Sequence, residues 1–454
     1  MKRAHIIGIG GIAMSAIAQC LIQLGYTVTG SDLNHNHLIE ELRNQGVEIS
    51  IGHNEANVSP EVKKVIFSDA IPAHNVEILA AKKYNLELLG RSDALAWLTE
   101  EKEVISATGT HGKTTTSAMI AHLLELGKKE PSFIIGGILN NFDSNFRANR
   151  GDYFVLEGDE YGKSFLKYSS DIGVITNIEY DHPDIYADMD EVLETYHQYV
   201  DNLTKCLITN QKVIDQLNLT PRKMDLDIIT VEIDDQEADF TAINIREEEL
   251  SSYFTLRYKG EEVGEFKVNS LGDYNIKHAL EAIAVANYCG ISFEEMKRAI
   301  ALWKGVKRRF EILDEREDRI VISDYAHHPS EVDAVAEIFE RIKTDKKKVL
   351  IFQPHQYLRT KSLFKNYENV LDKLLDEKVI FKIYKVREKV SEEELESLGN
   401  KLSQSISRGD TKYYNQTDKL TKWLNNYRKE NDAIFLFLGA GNIDDFARKW
   451  VSKG

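Results

Sequence analysis

Short apolar runs alternate with longer amphipathic stretches along the chain, so periods near two and near 3.6 predict strands and helices in turn. In the first stretch, residues 4–9 read as a buried strand, a helix spans about 12–24, and Gly25 stops it. Residues 26–29, 65–67 and 86–89 add short strands. The second stretch opens with a strand at 103–107 and a helix at about 114–126 closed by Gly127, followed by strands at 153–156 and 173–176. Residues 276–288 are apolar on most faces and end at Cys289-Gly290, which predicts a buried helix. The segment from about 205 to 268 is mixed and polar, includes Glu247-Glu248-Glu249, and carries no functional pattern. The third stretch begins near Lys307-Arg308-Arg309 and has strands at 320–323, 348–352 and 434–438. This alternation implies an α/β architecture with parallel strands in each part. New strand series begin near residues 100 and 307, dividing the chain into domains 1–99, 100–306 and 307–454.

Composition narrows the classes. The 454 residues are 42% hydrophobic, enough for several packed cores. A net charge of −16 excludes an extended nucleic-acid surface, which needs clustered Lys and Arg, so no nucleic-acid partner is expected. No apolar run reaches the ~18–20 residues of a membrane span. The start, Met1-Lys2-Arg3-Ala4-His5, runs straight into a strand and does not read as a secretory signal. Cys20, Cys206 and Cys289 are far apart and odd in number, which fits reduced thiols and a cytoplasmic location.

The strongest chemical signal is Gly109-Thr110-His111-Gly112-Lys113-Thr114-Thr115-Thr116, set between a strand and a helix. A glycine-rich turn lets successive amides point at phosphate oxygens, and the helix start adds partial positive charge. Lys113 would reach the β/γ-phosphates and the Thr114 hydroxyl would ligate Mg²⁺. Ala107 stands where the general spacing has its first glycine. A second loop, Gly8-x-Gly10-Gly11-x-Ala13, also follows a strand and opens a helix, with Asp32 at the end of the next strand where a ribose-binding acid belongs. A chain that binds one nucleotide substrate and cleaves another accounts for both loops.

Glu157, Asp159 and Glu160 end one strand, and Asn177-Ile178-Glu179-Tyr180-Asp181-His182-Pro183 ends another. Acids beside a phosphate loop suit Mg²⁺ as a set; taken singly, they read more readily as helix caps and turn residues. In the last stretch, Asp324-Tyr325-Ala326-His327-His328-Pro329 and Gln353-Pro354-His355 with Arg359 also follow strands. These are polar substrate contacts or helix caps, and Arg359 could hold a carboxylate through two hydrogen bonds.

Taken in order, these segments resemble the Mur ligase family of peptidoglycan synthesis across essentially the whole chain. The matching stretches are 8–15, 106–116, 157–165, 177–183, 305–310, 324–332, 353–360 and 439–443. The resemblance implies a Rossmann-like UDP-sugar domain, a central P-loop ATPase-like domain and a C-terminal Rossmann-like domain that takes the amino acid. It places Gly10, Gly11 and Ser15 near the diphosphate and Asp32 near the uridine, with Ser68 and Arg91 extending that site. Gly109, Thr110, His111, Gly112, Lys113, Thr114 and Thr115 would hold ATP, with Asn275 near the adenine. Thr114, Glu157 and His182 would bind Mg²⁺, Arg309 would contact phosphate, and His328 and Arg359 would orient the incoming amino acid. The implied substrates are UDP-N-acetylmuramate and L-alanine, joined through an acyl phosphate by a monomer or weak homodimer. Departures from the family pattern are Tyr274 and His278 where His and Asn are frequent, Gln356 where a basic residue is frequent, and Gly158 for alanine.

Three alternatives compete. A recycling member of the family attaches a tripeptide to the same sugar, and residues 157–161 and 135–137 would suit it. Gln353-Pro354-His355 followed by Arg359-Thr360 resembles the alanine-adding pattern more closely. A non-catalytic nucleotide switch would have no use for the acceptor segments at 324–328 and 353–359. A dehydrogenase does not explain two nucleotide loops.

Overall fold

The computed structural model describes residues 2–180, 185–219, 226–373, 377–386 and 388–453. Three sheets are distributed over two compact units. One unit comprises Met1–Arg246, Ser252–Asn269 and Asp273–Lys304; the other comprises Glu247–Ser251, Ser270–Gly272 and Gly305–Gly454.

The first sheet has five parallel strands in the order Glu48–Ile51, Thr27–Asp32, Arg3–Ile7, Lys64–Phe67, Glu87–Gly90. The central strand buries Ala4, Ile6 and Ile7 completely. Strand order reverses beside it, and in open α/β sheets the crevice at such a reversal is where ligands bind. The glycine loop after Ile7 emerges there.

The second sheet has ten strands in the order Glu261–Val268, Ser251–Tyr258, Phe240–Glu248, Asp227–Ile233, Leu203–Thr209, Ser170–Ile175, Glu103–Thr108, Tyr153–Glu157, Ser132–Leu139, Ser144–Arg147. Its middle is parallel, but the expectation of parallel strands throughout needs correction. Ser132–Leu139 pairs antiparallel with Ser144–Arg147, and Ser251–Tyr258 antiparallel with Glu261–Val268. The second hairpin turns at Lys259-Gly260, both at positive φ (49° and 82°), a turn whose twist matches that of the strands. Phe254, Leu256, Phe266 and Val268 are buried on one face while their neighbours are polar, so this part of the mixed, polar 205–268 segment is a half-buried hairpin. The helix Lys113–Leu126 buries Ala118, Met119, Ile120 and Leu123 and packs against the helix Asp273–Tyr288, with Ile276, Ala279, Leu280 and Ile283 equally buried.

The third sheet runs Glu311–Glu315, Arg319–Asp324, Ala433–Leu438, Lys347–Phe352, Glu377–Phe381, Asp410–Tyr414. Only the first pair is antiparallel. Ala433–Leu438 is buried along its whole length. Asp324 and Phe352 both stand opposite Leu438, so three strands end flush and deliver their following residues to one edge.

Candidate active site

The strand Glu103–Thr108 lies between Tyr153–Glu157 and Ser170–Ile175, with Ala107 opposite Glu157 and Thr108 opposite Ile175. The loop that follows is shaped by glycine and by the neighbouring strand's end. Gly109 has φ 133°, and a Cβ there would fall 2.1 Å from Thr176 Oγ1. Gly112 has φ 87°, and a Cβ would fall 2.1 Å from His278 Cε1. Thr110 N donates to Asn177 O (3.1 Å) and His111 N to Asn177 Oδ1 (3.0 Å). The His111 carbonyl accepts from Thr176 Oγ1 (2.6 Å) and Asn177 Nδ2 (2.9 Å). Four residues are thereby locked into a cradle ahead of the helix Lys113–Leu126, whose amino end favours anions.

Lys113 Nζ donates to Gly109 O (2.7 Å), Thr110 O (3.2 Å) and Glu160 Oε1 (2.8 Å). Thr114 Oγ1 donates to Glu157 Oε1 (2.8 Å), and Gly136 N donates to Glu157 Oε2 (2.8 Å). The hydroxyl and carboxylate are hard oxygen donors that fit Mg²⁺, an ion that fills the rest of its shell with water and phosphate oxygen. Among the described residues no group of three or more His, Cys, Asp or Glu gathers as a complete protein cage. His182 lies outside the described residues. Thr115 is half-buried in the first helical turn, and Asn275 is buried in the first turn of Asp273–Tyr288. Below the loop, Thr116 Oγ1 reaches His278 Nδ1 (3.0 Å) and Glu281 Oε2 (2.9 Å), both buried. The sequence offers Glu160 only as one of three strand-end acids suited to Mg²⁺, not as the partner of Lys113, and it does not join Gly136 to Glu157 or Thr116 to His278 and Glu281. Only the fold brings these distant residues together.

At the amino-terminal loop, Gly10 N donates to Asp32 Oδ2 (2.9 Å), and Asn36 Nδ2 donates to Gly10 O (2.9 Å). Gly11 caps the helix Ile12–Gln23. Ser15 is fully buried and its hydroxyl donates to Ile12 O (2.9 Å), so it serves the helix backbone. A Cβ on Gly8 would come 3.1 Å from Ser68 Cβ, so the glycine loop and the end of Lys64–Phe67 are in contact. Arg91 joins Asp69 (2.8 Å) to Asp159 (3.3 Å), linking the first sheet's edge to the acids after Glu157.

The third sheet's edge gathers another cluster. Asp324 is buried, and burial holds its carboxyl above the usual range against the Arg309 charge and the amides of Ala326 (2.7 Å) and Phe310 (2.6 Å). The Arg309 guanidinium lies 5.5 Å from the Tyr325 ring centre. His328 is exposed and caps the helix Pro329–Arg341, its Nδ1 2.8 Å from Ser330 Oγ. It is His327 that faces inward, its ring 5.5 Å from that of His355. Arg359 Nη1 lies 3.5 Å from His355 Nδ1. Burial, then the charges of His327 and Arg359, push the His355 imidazole down to about 4. Among the described residues no ion pair engages Arg359.

Three family models match in order: the Mur ligase family, catalytic domain, at residues 3–103; the Mur ligase middle domain at 107–286; and the Mur ligase, glutamate ligase domain at 308–441. The UDP-N-acetylmuramate–L-alanine ligase of Geotalea daltonii is 35% identical over 100% of this chain and 98% of its own. That of Aquifex aeolicus is 34% identical, with the same coverage. Among solved structures, UDP-N-acetylmuramate-alanine ligase MurC from Thermotoga maritima superposes with a TM-score of 0.83 at 26% identity, covering 100% of this chain and 99% of that one. With every domain matched in sequence order and relatives about 35% identical over the full chain, the chain belongs to the Mur ligase family.

Proposed function

We propose that this protein is an ATP-dependent ligase that joins L-alanine to UDP-N-acetylmuramate through an acyl phosphate, in the synthesis of peptidoglycan precursors. The observation that carries this reading is correspondence with alanine-adding ligases over the full chain at about 35% identity, which includes the acceptor segments as well as the nucleotide loop.

The site residues then take on complementary tasks. With the Thr110 and His111 amides held by Asn177, the amides at the Gly112 end of the loop and the start of Lys113–Leu126 receive the triphosphate, and Lys113 exchanges loop oxygens for phosphate oxygens. Thr114 and Glu157 would hold Mg²⁺, with His182 as a third ligand; the ion would offset the negative charge of the triphosphate. The lactyl carboxylate, delivered by the glycine loop with Gly10, Gly11, Ser15, Asp32, Ser68 and Arg91, attacks the γ-phosphorus and ADP leaves. A carboxylate is a poor acyl donor because its leaving group would be oxide; phosphorylation supplies a better one. Arg359, with His327 and His328, orients alanine by its carboxylate. The amine attacks the acyl carbon, the tetrahedral adduct expels phosphate, and an amide remains. Asn275 lies near the adenine and Arg309 contacts phosphate. We place the enzyme in the cytoplasm, as a monomer or weak homodimer, with domain limits near residues 100 and 307.

The test is ADP release with each substrate omitted in turn, and with a tripeptide in place of L-alanine. Release should require UDP-N-acetylmuramate and be completed by L-alanine. A far higher kcat/KM with the tripeptide would overturn the acceptor assignment.

A further inference from the structure

Glu77 sits in the first turn of the helix Val76–Lys83, and its side chain is fully buried. One carboxylate oxygen accepts from Ser31 Oγ (2.5 Å) and His5 Nε2 (3.4 Å). The other accepts from Asn57 Nδ2 (2.6 Å) and Asn54 N (3.1 Å). Because the Ser31 hydroxyl donates its proton to Glu77, it accepts from His53 Nδ1, 3.1 Å away. Burial alone would push this carboxyl up, but hydrogen bonds from His5, Ser31, Asn57 and Asn54 outweigh it and hold Glu77 at about 2.

These partners lead directly to the glycine loop. The Ser31 carbonyl accepts from Gly8 N (2.8 Å) and Ile9 N (3.1 Å). The next residue, Asp32, holds Gly10 N with its side chain, and its carbonyl accepts from Gly52 N (2.7 Å). Asn57 Nδ2 also donates to Gly52 O (3.2 Å), closing the 52–57 turn onto the same carboxylate. The surroundings are apolar: Ile7, Val58, Val65, Ile78, Ala80 and Ala81 form the local core. A buried ion in such a place is weak support for stability, since well-packed apolar side chains commonly do as well. Its partners Ser31, Asn54 and Asn57 lie where parallel strands deliver ligand-binding loops.

We propose that Glu77 is a positioning residue for the nucleoside diphosphate, fixing from beneath both the glycine loop 8–11 and the 52–57 turn around the Asp32 end of its strand. The inference rests on the reading that the amino-terminal sheet receives the UDP-sugar. Four donors converge on an acceptor-only group. A glutamine would turn hydrogens toward some of them and release the two loops.

The experiment uses UDP as the probe, titrated by calorimetry into the full-length protein and its variants, alongside steady-state kinetics. Glu77→Gln should weaken UDP binding and raise KM for UDP-N-acetylmuramate on the order of tenfold, the scale of an unsatisfied buried donor. The kcat at saturating sugar and KM for ATP should stay within about twofold, since uniform binding alone is lost. Ser31→Ala cuts a single link, and reads the same relay if Glu77→Gln does not fold; it should shift UDP affinity in the same direction by less. The double variant should lose less than the product of the two, and Glu77→Asp should recover part of the affinity. Wild-type UDP affinity in both single variants would refute the role of Glu77, as would equal rises in KM for ATP and for the sugar. If the wild-type protein does not bind UDP at all, the reading of the domain falls and this inference with it.

Discussion

Thr114 Oγ1 lies 2.8 Å from Glu157 Oε1, joining the first turn of a helix to the end of the neighbouring strand. Gly136 fixes the carboxylate's other oxygen, and a Cβ there would fall 2.7 Å from Glu157 Oε2, so the acid is confined on both sides. Replacing Glu157 by Gln should lower kcat on the order of 10²-fold by removing fixed charge from the proposed Mg²⁺ site. Thr114→Ala should be milder and partly restored by added Mg²⁺. ADP release measured across Mg²⁺ concentrations checks both; an unchanged Mg²⁺ requirement would exclude the pair as ligands.

Lys113 carries the only ammonium in the cradle's sequence, and it is held by Gly109, Thr110 and Glu160. Lys113→Ala should reduce turnover by roughly 10²–10³-fold, the scale seen when one preorganised donor at developing charge is lost. UDP affinity should be unaltered, because the glycine loop 8–11 is built without it. A variant with wild-type turnover would remove Lys113 from the mechanism.

Gly112→Ala should harm the protein twice. The backbone there has φ 87°, and the new methyl would overlap the His278 ring. Destabilisation of about 1–3 kcal/mol follows from strain of this kind. Adding His278→Ala should relieve the overlap but not the dihedral strain, so the melting temperature should recover only in part. Full recovery would mean that the backbone at Gly112 is unstrained.

His355 predicts a pH effect in the carboxyl-terminal unit. Its folded value, about 4, lies below the ordinary 6.5 because burial and then the neighbouring charges of His327 and Arg359 disfavour the imidazolium. As pH falls, the unfolded chain takes the proton first. The contribution to stability is therefore present above 6.5 and is lost as pH falls toward 4. His355→Gln should make the melting temperature fall less steeply across that interval. A steeper or equal slope would show that His355 is not buried as described.

Arg359→Ala should raise KM for L-alanine on the order of tenfold or more by removing a charge-assisted contact, while leaving KM for ATP near its original value. Inhibition by alanine analogues without a carboxylate should be unaffected by the substitution. Equal losses for both substrates would place Arg359 outside the acceptor site.

Much of this was legible in the sequence because glycine punctuates it. Gly112 and Gly127 bracket the helix Lys113–Leu126, and Gly25 follows the helix that opens after Gly11. The strand, glycine loop and helix at 103–126 needed no tertiary information. Other features did. Residues 251–268 alternate polar and apolar in an antiparallel hairpin, a pattern too diluted by charge to stand out. His327 and His328 are adjacent, and nothing local says which one faces inward; the capping geometry of His328 decides it. Glu160 belonged to a set of three nearby acids, and only the approach of Lys113 distinguishes it. Glu77 lies 46 residues from Ser31, with no motif connecting them.

The three oxygens around the Lys113 ammonium have a thermodynamic consequence. The cradle takes its form from its own atoms, so capturing a nucleotide asks this side chain to trade partners rather than to order a coil. Association should then resemble the docking of two finished shapes, with a heat-capacity change set by buried area alone and none added by coupled folding.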